Sequence, residues 1–555
     1  MKRRLYIFAA LLLLPIFSVA QDHSDWTRNL AMYEVNIRQY TQEGTFEAFE
    51  AHLDRLQEMG VGILWLMPIH PIGEENRLGS LGSYYSVRDY KGINPEFGDH
   101  EDFGRLVDAI HDRGMYVIMD WVPNHTSWDN YLTDEHPEWY ATSRGNFMPP
   151  PGTNWSDVIQ LDHHQAGLRN YMRDAMLFWV DEYDVDGFRF DAVSHVLDMD
   201  FLSTINEELV AHKPDIFLLA EHAGPEWFDR GFHMTHGWWL YGFGHGVLKQ
   251  IADGQANAND LYQAFEHQLS IHPEGASRLY FTSNHDENSW HGTTTELFGN
   301  AAEVFAVITA TFDGMPLVYS GQEAGLDKRL AFFDKDLIPW RDHPKADLYT
   351  ALFHLRRENQ ALWHGEAGAE LQRVQTSSNR NVFAFIREKY DDRVLVATNL
   401  SPQGRDVTLE GSTASGRYRD VLTGDIVTIG EDAVIVLEAW DYIVYELLET
   451  GTSSDRSGES EPETDDIAGG PTLHQNYPNP FNPVTTISYT LVQPAAVTVE
   501  IFDMTGRRVA QLVDGHRSAG RHQVTWDAAG AGSGIYLLKI RAGEWREARK
   551  MTVVK

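Results

Sequence analysis

The segment Gly187-Phe-Arg-Phe-Asp-Ala-Val-Ser-His195 combines residue types that can take part in catalysis. Alternation along an extended chain would place Arg189 and Asp191 on the same side of one strand. A guanidinium beside a carboxylate lowers the pKa of that carboxyl group and keeps it ionised, which suits a nucleophilic or charge-stabilising Asp. An ion pair at the end of a surface strand would give the same pattern, so the rest of the chain must separate the two interpretations.

Acidic residues recur where apolar, strand-like segments end. In a parallel β/α barrel the C-terminal ends of the strands converge on one face, and active sites are built there. Solvated surface carboxylates would not be expected to repeat at the same end of successive strands. The sequence therefore predicts one carboxylate-lined site, formed at the ends of the third, fourth, fifth and seventh strands by Asp120, Asp191, Glu221 and Asp286.

Two of these carboxylates have different expected environments. Asp191, beside Arg189, should stay ionised, whereas Glu221 follows the apolar segment Ile-Phe-Leu-Leu-Ala, so burial should raise its pKa and keep it protonated. An ionised Asp with a protonated Glu is the pair that glycoside hydrolysis requires. Several aromatic residues near strand ends either stack on sugar rings or belong to the core: Tyr84, Tyr85, Trp121, Trp238 and Trp239.

The elements that position these residues are short apolar strands alternating with amphipathic helices, a pattern that predicts an α/β fold in which eight parallel β/α units close into a (β/α)₈ TIM barrel. The catalytic barrel is expected to occupy residues 21–370. The predicted strands cover residues 32–37, 63–69, 116–122, 186–192, 216–222, 237–242, 279–286 and 316–323. Helices are expected at residues 45–59, 101–113, 166–183 and 201–212.

Other segments depart from this rhythm. Residues 126–161 predict a small irregular domain inserted after the third strand, and residues 371–448 predict an antiparallel β domain. Residues 449–470 are polar and acidic, which is typical of a disordered linker. Residues 471–555 alternate as the strands of a C-terminal β-sandwich do.

The composition and the N-terminus indicate an exported protein. The net charge of −36 over 555 residues argues against nucleic acid or an anionic membrane as partner. Residues 1–20 have a basic start, an apolar run and the small-residue site Ser18-Val19-Ala20, which together predict a signal peptide. A membrane anchor is the alternative, but the apolar run is short for a spanning helix. With no cysteine, stability must come from packing or a metal.

Four motifs in order resemble those of the α-amylase family of retaining glycoside hydrolases: DWVPNH at 120–125, GFRFDAVSH at 187–195, AEH at 220–222 and SNHDEN at 283–288. The segment GMPLVYSGQE at 314–323 also resembles the family's eighth strand. The resemblance implies that Asp191 is the nucleophile, Glu221 the general acid/base and Asp286 the stabiliser of the transition state.

The same resemblance implies a set of substrate contacts. Tyr85, in YYSVRDY, is similar to a tyrosine that stacks on sugar, and His125 and His285 would hydrogen-bond the sugar beside the scissile bond. Arg189 would orient Asp191, and His222 completes the expected substrate-binding residues. Ser194 and Ser83 stand where the family often has Lys and His, which leaves the substrate open.

Family members often bind calcium between the barrel and the inserted domain. The matching positions are Asn124, Asp162 and the backbone carbonyl of His195, and Asp157 is a further residue of the right type for a hard cation. An Asx turn is the alternative role for Asn124. The family's PDLN-like stretch is IQLD here, at residues 159–162.

The last module is similar to the C-terminal sorting domains of the type IX secretion system, in NYPNPFNPVTTISY at 476–489 and IFDMTGRRV at 501–509. A carbohydrate-binding sandwich is the alternative. With the signal peptide, this resemblance implies the type IX machinery as partner, passage through the periplasm, and a secreted or cell-surface location.

Taken with the motifs, these features predict a secreted, endo-acting hydrolase of α-1,4 bonds in starch or maltodextrin. The alternatives of the same class are a cyclomaltodextrinase or neopullulanase and an α-glucan transglycosylase. A non-catalytic cell-surface glucan-binding protein is the alternative from another class; it should have lost one of the three carboxylates, all of which are present.

Overall fold

The structure is a computed structural model, and it describes two stretches of the N-terminal part together with shorter ones in the C-terminal part. The described residues are 25–242, 244–450, 472–473, 481, 483–491, 495–503, 507–517, 520–543 and 545–553. The predicted signal peptide and most of the predicted linker lie outside them.

Eight parallel strands close into a barrel, which confirms the predicted fold class. Met32 on the first strand pairs with Ile63 on the second and with Leu317 on the last, so the sheet has no open edge. The barrel strands, numbered here 1 to 8 in chain order, are Met32–Val35, Ile63–Leu66, Tyr116–Trp121, Gly187–Phe190, Phe217–Ala220, Met234–His236, Ser277–Tyr280 and Met315–Tyr319.

The barrel strands are apolar over most of their length because helices cover the outer face and side chains fill the inside. Strand 2, Ile-Leu-Trp-Leu, is fully buried. The α-helices of the barrel region are Ile37–Tyr40, Phe46–Glu50, Leu53–Glu58, His100–Asp112, Ala166–Tyr183, Met199–His212, Trp238–Tyr241, Val247–Ala252, Ala258–Ile271, Thr294–Phe298, Ala302–Thr311 and Pro344–Glu358.

Barrel strand 6 differs from its prediction. The strand ends at His236, and the segment expected as strand, 237–242, forms the helical turn Trp238–Tyr241. The amide of Gly237 still donates to the carbonyl of Leu279 on strand 7, after which the chain turns. Periodicity cannot distinguish a short apolar strand from a buried helical turn, so this prediction was wrong.

The segment inserted after strand 3 is irregular, as predicted. Its base is a two-stranded antiparallel ladder of His125–Ser127 with Val158–Gln160. A second short ladder joins Thr142–Ser143 to Asn146–Phe147, and Leu132–Glu135 is helical. The ladder at the base brings both ends of the insertion to the C-terminal face of the barrel.

An antiparallel β domain follows the barrel, as predicted. The strands Val434–Leu437 and Tyr442–Thr450 belong to different sheets, and Trp440 lies between them with a left-handed backbone (φ 59°). The six-stranded sheet has the order Leu371–Val374, Val382–Lys389, Asp392–Asn399, Tyr442–Thr450, Gly416–Asp420 and Ile426–Ile429, and the second sheet pairs Arg405–Thr408 with Val434–Leu437.

The chain divides into two compact units, Met1–Thr452 and Ser453–Lys555. The second unit contains a three-stranded and a four-stranded antiparallel sheet with a core of its own. Within the described residues, no helix is both long and apolar enough to span a membrane. The strands of the second unit are Thr472–Leu473, Val484–Leu491, Ala495–Asp503, Arg508–Arg517, Gly520–Asp527, Gly534–Ala542 and Trp545–Val553.

Deleting residues 471–555 should leave the first unit as stable as in the full chain. The hydrophobic cores of the two units share no residue, so removing one core should not weaken the other. Calorimetry of the full and shortened proteins is the measurement, and the transition of the first unit should stay within about 2 °C. A much larger fall in that Tm would show that the first unit depends on the second.

Candidate active site

The predicted carboxylates lie at the C-terminal ends of their strands. Asp120 is the last but one residue of strand 3, and Asp191 and Glu221 each directly follow a strand. Asp286 comes six residues after strand 7, just before the π-helical turn Glu287–His291. Parallel strands of one barrel therefore deliver all four to the same face, as the sequence predicts.

Arg189 joins three of these carboxylates. Its Nη1 lies 2.7 Å from Asp120 Oδ1 and 3.1 Å from Asp191 Oδ1, and its Nη2 lies 2.7 Å from Glu221 Oε1. The Arg189 side chain is only 1% exposed, and its guanidinium faces the ring of Trp65 at 5.1 Å. The predicted pair Arg189 and Asp191 is thus confirmed, and it belongs to a larger buried cluster of one cation and three acids.

The electrostatics of the cluster differ from the expectation. Burial raises the pKa of Asp191 well above its ordinary value, the charge of Glu221 raises it further, and Arg189 only partly opposes them. The sequence predicted a lowered pKa for Asp191 because it indicated only the pair of Arg189 with Asp191. Glu221, expected in an apolar pocket, instead pairs with Arg189. Burial also raises the pKa of Asp120, to about 6, so Asp120 and Asp191 both retain a proton more readily than an exposed Asp does.

A strained turn supports Glu221. Ala192 directly follows Asp191 and has a left-handed backbone with φ 41°, and its amide donates to Glu221 Oε2 at 2.7 Å. A non-glycine residue pays about 1–3 kcal/mol for such a conformation, and strain of this kind clusters at functional sites. The sequence gives no signal of this contact, since Ala has no preference for the left-handed region.

Asp286 is the most accessible of the three expected catalytic acids. Its side chain is 35% exposed, and its Oδ2 lies 3.5 Å from His285 Nε2. The indole Nε1 of Trp290 donates to Asp286 Oδ1 at 3.1 Å. Trp290 is about half exposed and packs on Phe332 with ring centroids 5.1 Å apart. An aromatic wall thus lies directly beside this carboxylate.

Glu34 on strand 1 is a site residue that sequence reasoning missed. Its buried carboxylate contacts His285 Nδ1 and accepts from the backbone amide of His285 at 3.3 Å. Burial opposes protonation of His285, but the carboxylates of Asp286 and Glu34 overcome it and raise the pKa of His285 to about 9. An acidic residue in the middle of the apolar strand Met-Tyr-Glu-Val was the available signal.

The other expected substrate-binding residues are divided. Tyr85 joins the cluster, since its hydroxyl donates to Asp120 Oδ2 at 2.9 Å and lies 2.7 Å from His285 Nε2. His125 lies beside it, with Nε2 3.1 Å from the carbonyl of Tyr85, and burial lowers the pKa of His125 to about 3. His222 accepts from the amide of Gly224 at 3.0 Å, and its ring centroid lies 5.1 Å from that of Trp227.

The expected calcium ligands, Asn124, Asp157, Asp162 and the carbonyl of His195, each contact other groups of the protein. Asp162 accepts from the backbone and ring of its neighbour His164, and the carbonyl rather than the carboxylate of Asp157 accepts from Ser86. The carbonyls of Asn124 and His195 do converge, but on the side-chain amide nitrogen of Gln160. An N–H donor at that point does not fit a hard cation, which requires oxygen ligands around it.

Comparison with known proteins identifies the family. The family model "Alpha amylase, catalytic domain" matches residues 22–347, more than half of the chain. The chain belongs to the alpha-amylase family. The model "Maltogenic Amylase, C-terminal domain" matches residues 373–444, and "Secretion system C-terminal sorting domain" matches residues 475–555. The resemblances to the α-amylase family and to type IX sorting domains are therefore confirmed.

Two relatives of this alpha-amylase family member have names that indicate different activities. The chain is 27% identical over 454 residues to "Alpha-amylase MalA" of Haloarcula japonica, covering 75% of the chain and 63% of the relative. It is 24% identical over 431 residues to "Cyclomaltodextrin glucanotransferase" of Bacillus sp. strain 1-1, covering 68% of the chain and 58% of the relative. The chain therefore spans less than two thirds of the length of both.

A solved structure supports the fold at similar identity. The "noncanonic maltogenic alpha-amylase AmyB from Thermotoga neapolitana" superposes with a TM-score of 0.68 and 28% identity, covering 76% of this chain and 98% of that one. These matches agree with the barrel fold and with membership of the alpha-amylase family. The relatives differ in name, so the family alone does not define the substrate.

Replacing Glu34 by Gln should move the alkaline limb of the pH–activity profile to lower pH. His285 is charged below a pKa of about 9 and neutral above it, and the variant removes one of the two carboxylates that raise this pKa. The other charged and titratable groups near His285 are Asp286, Glu287, Tyr85, Arg189, Asp120 and His236. Initial rates on a soluble glucan from pH 6 to 10 should show a shift of about one pH unit.

Glu323→Gln is the matched control for that experiment. Glu323 is also buried, but it contacts Tyr33 and Arg55 rather than His285. Its loss should leave the alkaline limb in place whatever it does to stability. Equal profiles for Glu34→Gln and the wild type would contradict the assigned role of Glu34.

Proposed function

We propose that this protein is a secreted, retaining, endo-acting hydrolase of α-1,4-glucosidic bonds in starch or maltodextrin. One observation carries the proposal: Asp191 and Glu221 bind the two nitrogens of a single guanidinium. Both carboxylates thus lie within reach of one guanidinium, and this arrangement favours the close carboxyl spacing of retaining glycosidases over the wider spacing of inverting ones.

In the proposed reaction, Asp191 attacks the anomeric carbon while Glu221 protonates the departing glycosidic oxygen. A covalent glycosyl-enzyme results, and water activated by Glu221 then releases the sugar with its configuration retained. Asp286, exposed and held by Trp290, contributes negative charge beside the oxocarbenium-like transition state.

Arg189 can follow the charge through this cycle. Asp191 gives up its negative charge when the covalent bond forms, and Glu221 gains one when it delivers its proton. One guanidinium contacts both acids, so the negative charge passes from the carboxylate at Nη1 to the carboxylate at Nη2. At each stage the ionised carboxylate is paired with Arg189. The amide of Ala192 supplies a further hydrogen bond to the Glu221 carboxylate.

The surroundings of the acids suit a sugar polymer. Trp290, Phe332 and Phe333 form one aromatic wall beside Asp286, with neighbouring ring centroids 5.1–5.7 Å apart. Across the site, the ring of Trp155 in the inserted segment lies 5.5 Å from that of His125. Flat apolar rings flanking carboxylates supply stacking surfaces for pyranose rings.

A maltogenic activity is the second candidate. The match of residues 373–444 to the maltogenic amylase C-terminal domain and the likeness to AmyB favour it. A cyclomaltodextrinase, neopullulanase or transglycosylase activity would use the same acids. A purely glucan-binding role is disfavoured because all three acids are present and two of them share Arg189.

The sorting domain supports export by the type IX machinery to the cell surface or the medium. The signal peptide at 1–20 is part of this proposal. In a host with that machinery, the 471–555 deletion variant should keep its hydrolytic activity but stay in the periplasm. Normal appearance of the shortened protein outside the cell would contradict the sorting role.

Product analysis tests the substrate proposal. Endo-action on starch should release mixed maltooligosaccharides early, whereas maltogenic action should release maltose from the first minutes. Faster cleavage of cyclodextrin or pullulan than of starch would favour a cyclomaltodextrinase or neopullulanase. Proton NMR of the first reducing ends should show the α-anomer before mutarotation. A β-anomer appearing first would overturn the retaining assignment.

Two isosteric variants test the division of roles. Asp191→Asn should lose about 10⁴-fold or more in kcat, because no covalent step remains. Glu221→Gln should lose roughly 10²–10⁴-fold in kcat/KM on maltodextrin but much less in kcat/KM on glycosyl fluorides, whose leaving group needs no proton.

Glu207→Gln, on the exposed face of helix Met199–His212, is the control and should keep wild-type kcat. Wild-type turnover by Asp191→Asn would show that the nucleophile is another residue. An equal loss by Glu221→Gln on both substrates would contradict its role as the acid.

A further inference from the structure

Gln160 binds three main-chain carbonyls from a fully buried position. It is the last residue of the inserted strand Val158–Gln160. Its side-chain Nε2 donates to the carbonyl oxygens of Asn124 at 2.8 Å, Leu161 at 3.1 Å and His195 at 3.2 Å. Asn124 lies in the loop after barrel strand 3, and His195 ends the turn after strand 4. One amide thus ties the insertion to two catalytic loops.

Converging carbonyl oxygens require a positive partner between them. Either a hard cation or an N–H donor can take that position, and the Gln160 amide has two N–H groups to share among the three oxygens. The opposite amide orientation would turn Oε1 towards the same oxygens, and only a cation in their midst would make that favourable. The two states of the site are therefore mutually exclusive.

The loops that Gln160 joins carry catalytic groups. The side-chain amide of Asn124 lies 3.5 Å from both the backbone oxygen and Oδ2 of Asp191. The amide of His195 donates to the carbonyl of Ala192, whose own amide donates to Glu221. Displacing either carbonyl from Gln160 would therefore move the backbone that positions the nucleophile and the acid.

The sequence change agrees with this geometry. Where the related pattern is PDLN, this chain has IQLD, so Gln160 takes the position of the pattern's Asp. A carboxylate there would add a negative charge to three carbonyl dipoles and require a cation, whereas a neutral amide satisfies them directly. Of the acidic residues expected as ligands, Asp162 contacts the ring of His164 through its carboxylate, and Asp157 contacts Ser86 through its backbone carbonyl.

We propose that the Gln160 amide replaces a calcium ion at the junction of the inserted segment and the barrel, and that Gln160 is a positioning residue for Asp191 and Glu221. The calcium implied by the family resemblance is then not needed at this junction. The inference goes beyond the proposed function, since the stability of the junction does not depend on which glucan is cleaved.

Three proteins test it: the wild type, Gln160→Glu and Gln160→Leu, each measured in EDTA and in calcium chloride. The wild type should have the same Tm in both and contain no stoichiometric calcium by elemental analysis. Gln160→Glu places a carboxylate among the carbonyls, so its Tm should be low in EDTA and rise with calcium concentration. Gln160→Leu should have a low Tm that calcium does not restore.

Activity below the Tm supplies the positioning readout. Gln160→Leu should lose kcat at least about tenfold with little change in KM, since the acids rather than the sugar contacts are displaced. Calcium should restore kcat in Gln160→Glu. Gln57→Asp is the matched control, because the Gln57 amide donates to one exposed carbonyl, that of Arg113, and its replacement should create no calcium response.

Several results would overturn the proposal. A wild-type Tm that falls in EDTA, with one calcium per chain, would mean that Gln160 coordinates a cation through Oε1. A folded Gln160→Glu without any calcium response would mean that the carbonyls do not form a cation-sized site. If Gln160→Glu does not fold, the wild-type Tm in EDTA and its calcium content still decide. The melting data hold whatever substrate is found.

Discussion

The site depends on one buried guanidinium. Arg189 is almost completely removed from water and has acids from three different strands within hydrogen-bond distance. Burying these carboxylates without the cation would cost several kcal/mol for each ion. Because the Arg and the acids come from adjacent strands 3, 4 and 5, pairing of these three strands brings the cation and the acids together. The chemistry follows from this constraint, since the cluster has more acids than cations.

A chain of polar contacts leads from Arg189 through Asp120, Tyr85 and His285 to Glu34, and its charged members alternate in sign. Asp120 accepts from both Arg189 and Tyr85, Tyr85 contacts His285, and His285 contacts Glu34 on strand 1. Each buried charge thus has a neighbour of opposite sign or a hydrogen-bond partner, which offsets its desolvation. The network crosses the barrel from strand 4 to strand 1 and fixes His285 beside Asp286.

The junction of the inserted segment with the barrel is stabilised by neutral hydrogen bonds rather than by ion pairs. At the junction of the inserted segment, backbone carbonyls rather than carboxylates converge, and a neutral amide satisfies them. A neutral contact of this kind does not titrate and adds no charge to the crowded cluster below. The site therefore combines an ionic network around Arg189, which responds to protonation, with a hydrogen-bonded network around Gln160 that does not.

The sequence by itself determined the barrel, the order of its domains and the positions of Asp191, Glu221 and Asp286. These depend on local patterns: alternating apolar strands, and polar residues at strand ends. Sequence reasoning failed where a local pattern was ambiguous, as at residues 237–242, where Trp238–Tyr241 is helical. The family resemblance supplied the roles of the acids, which periodicity alone could not assign.

Only the tertiary structure decided the electrostatics and the supporting contacts. The raised pKa of Asp191 arises from burial and from the charges of Glu221 and Asp120, which are distant in sequence, and Glu34 reaches His285 across 251 positions of the chain. The sequence pointed to Asp162 rather than Gln160 because a carboxylate is the usual ligand for calcium, whereas the fold directs the amide at the carbonyls. Residue types indicate which groups can react, but Coulomb interactions and hydrogen bonds depend on distances through space, and folding sets those distances.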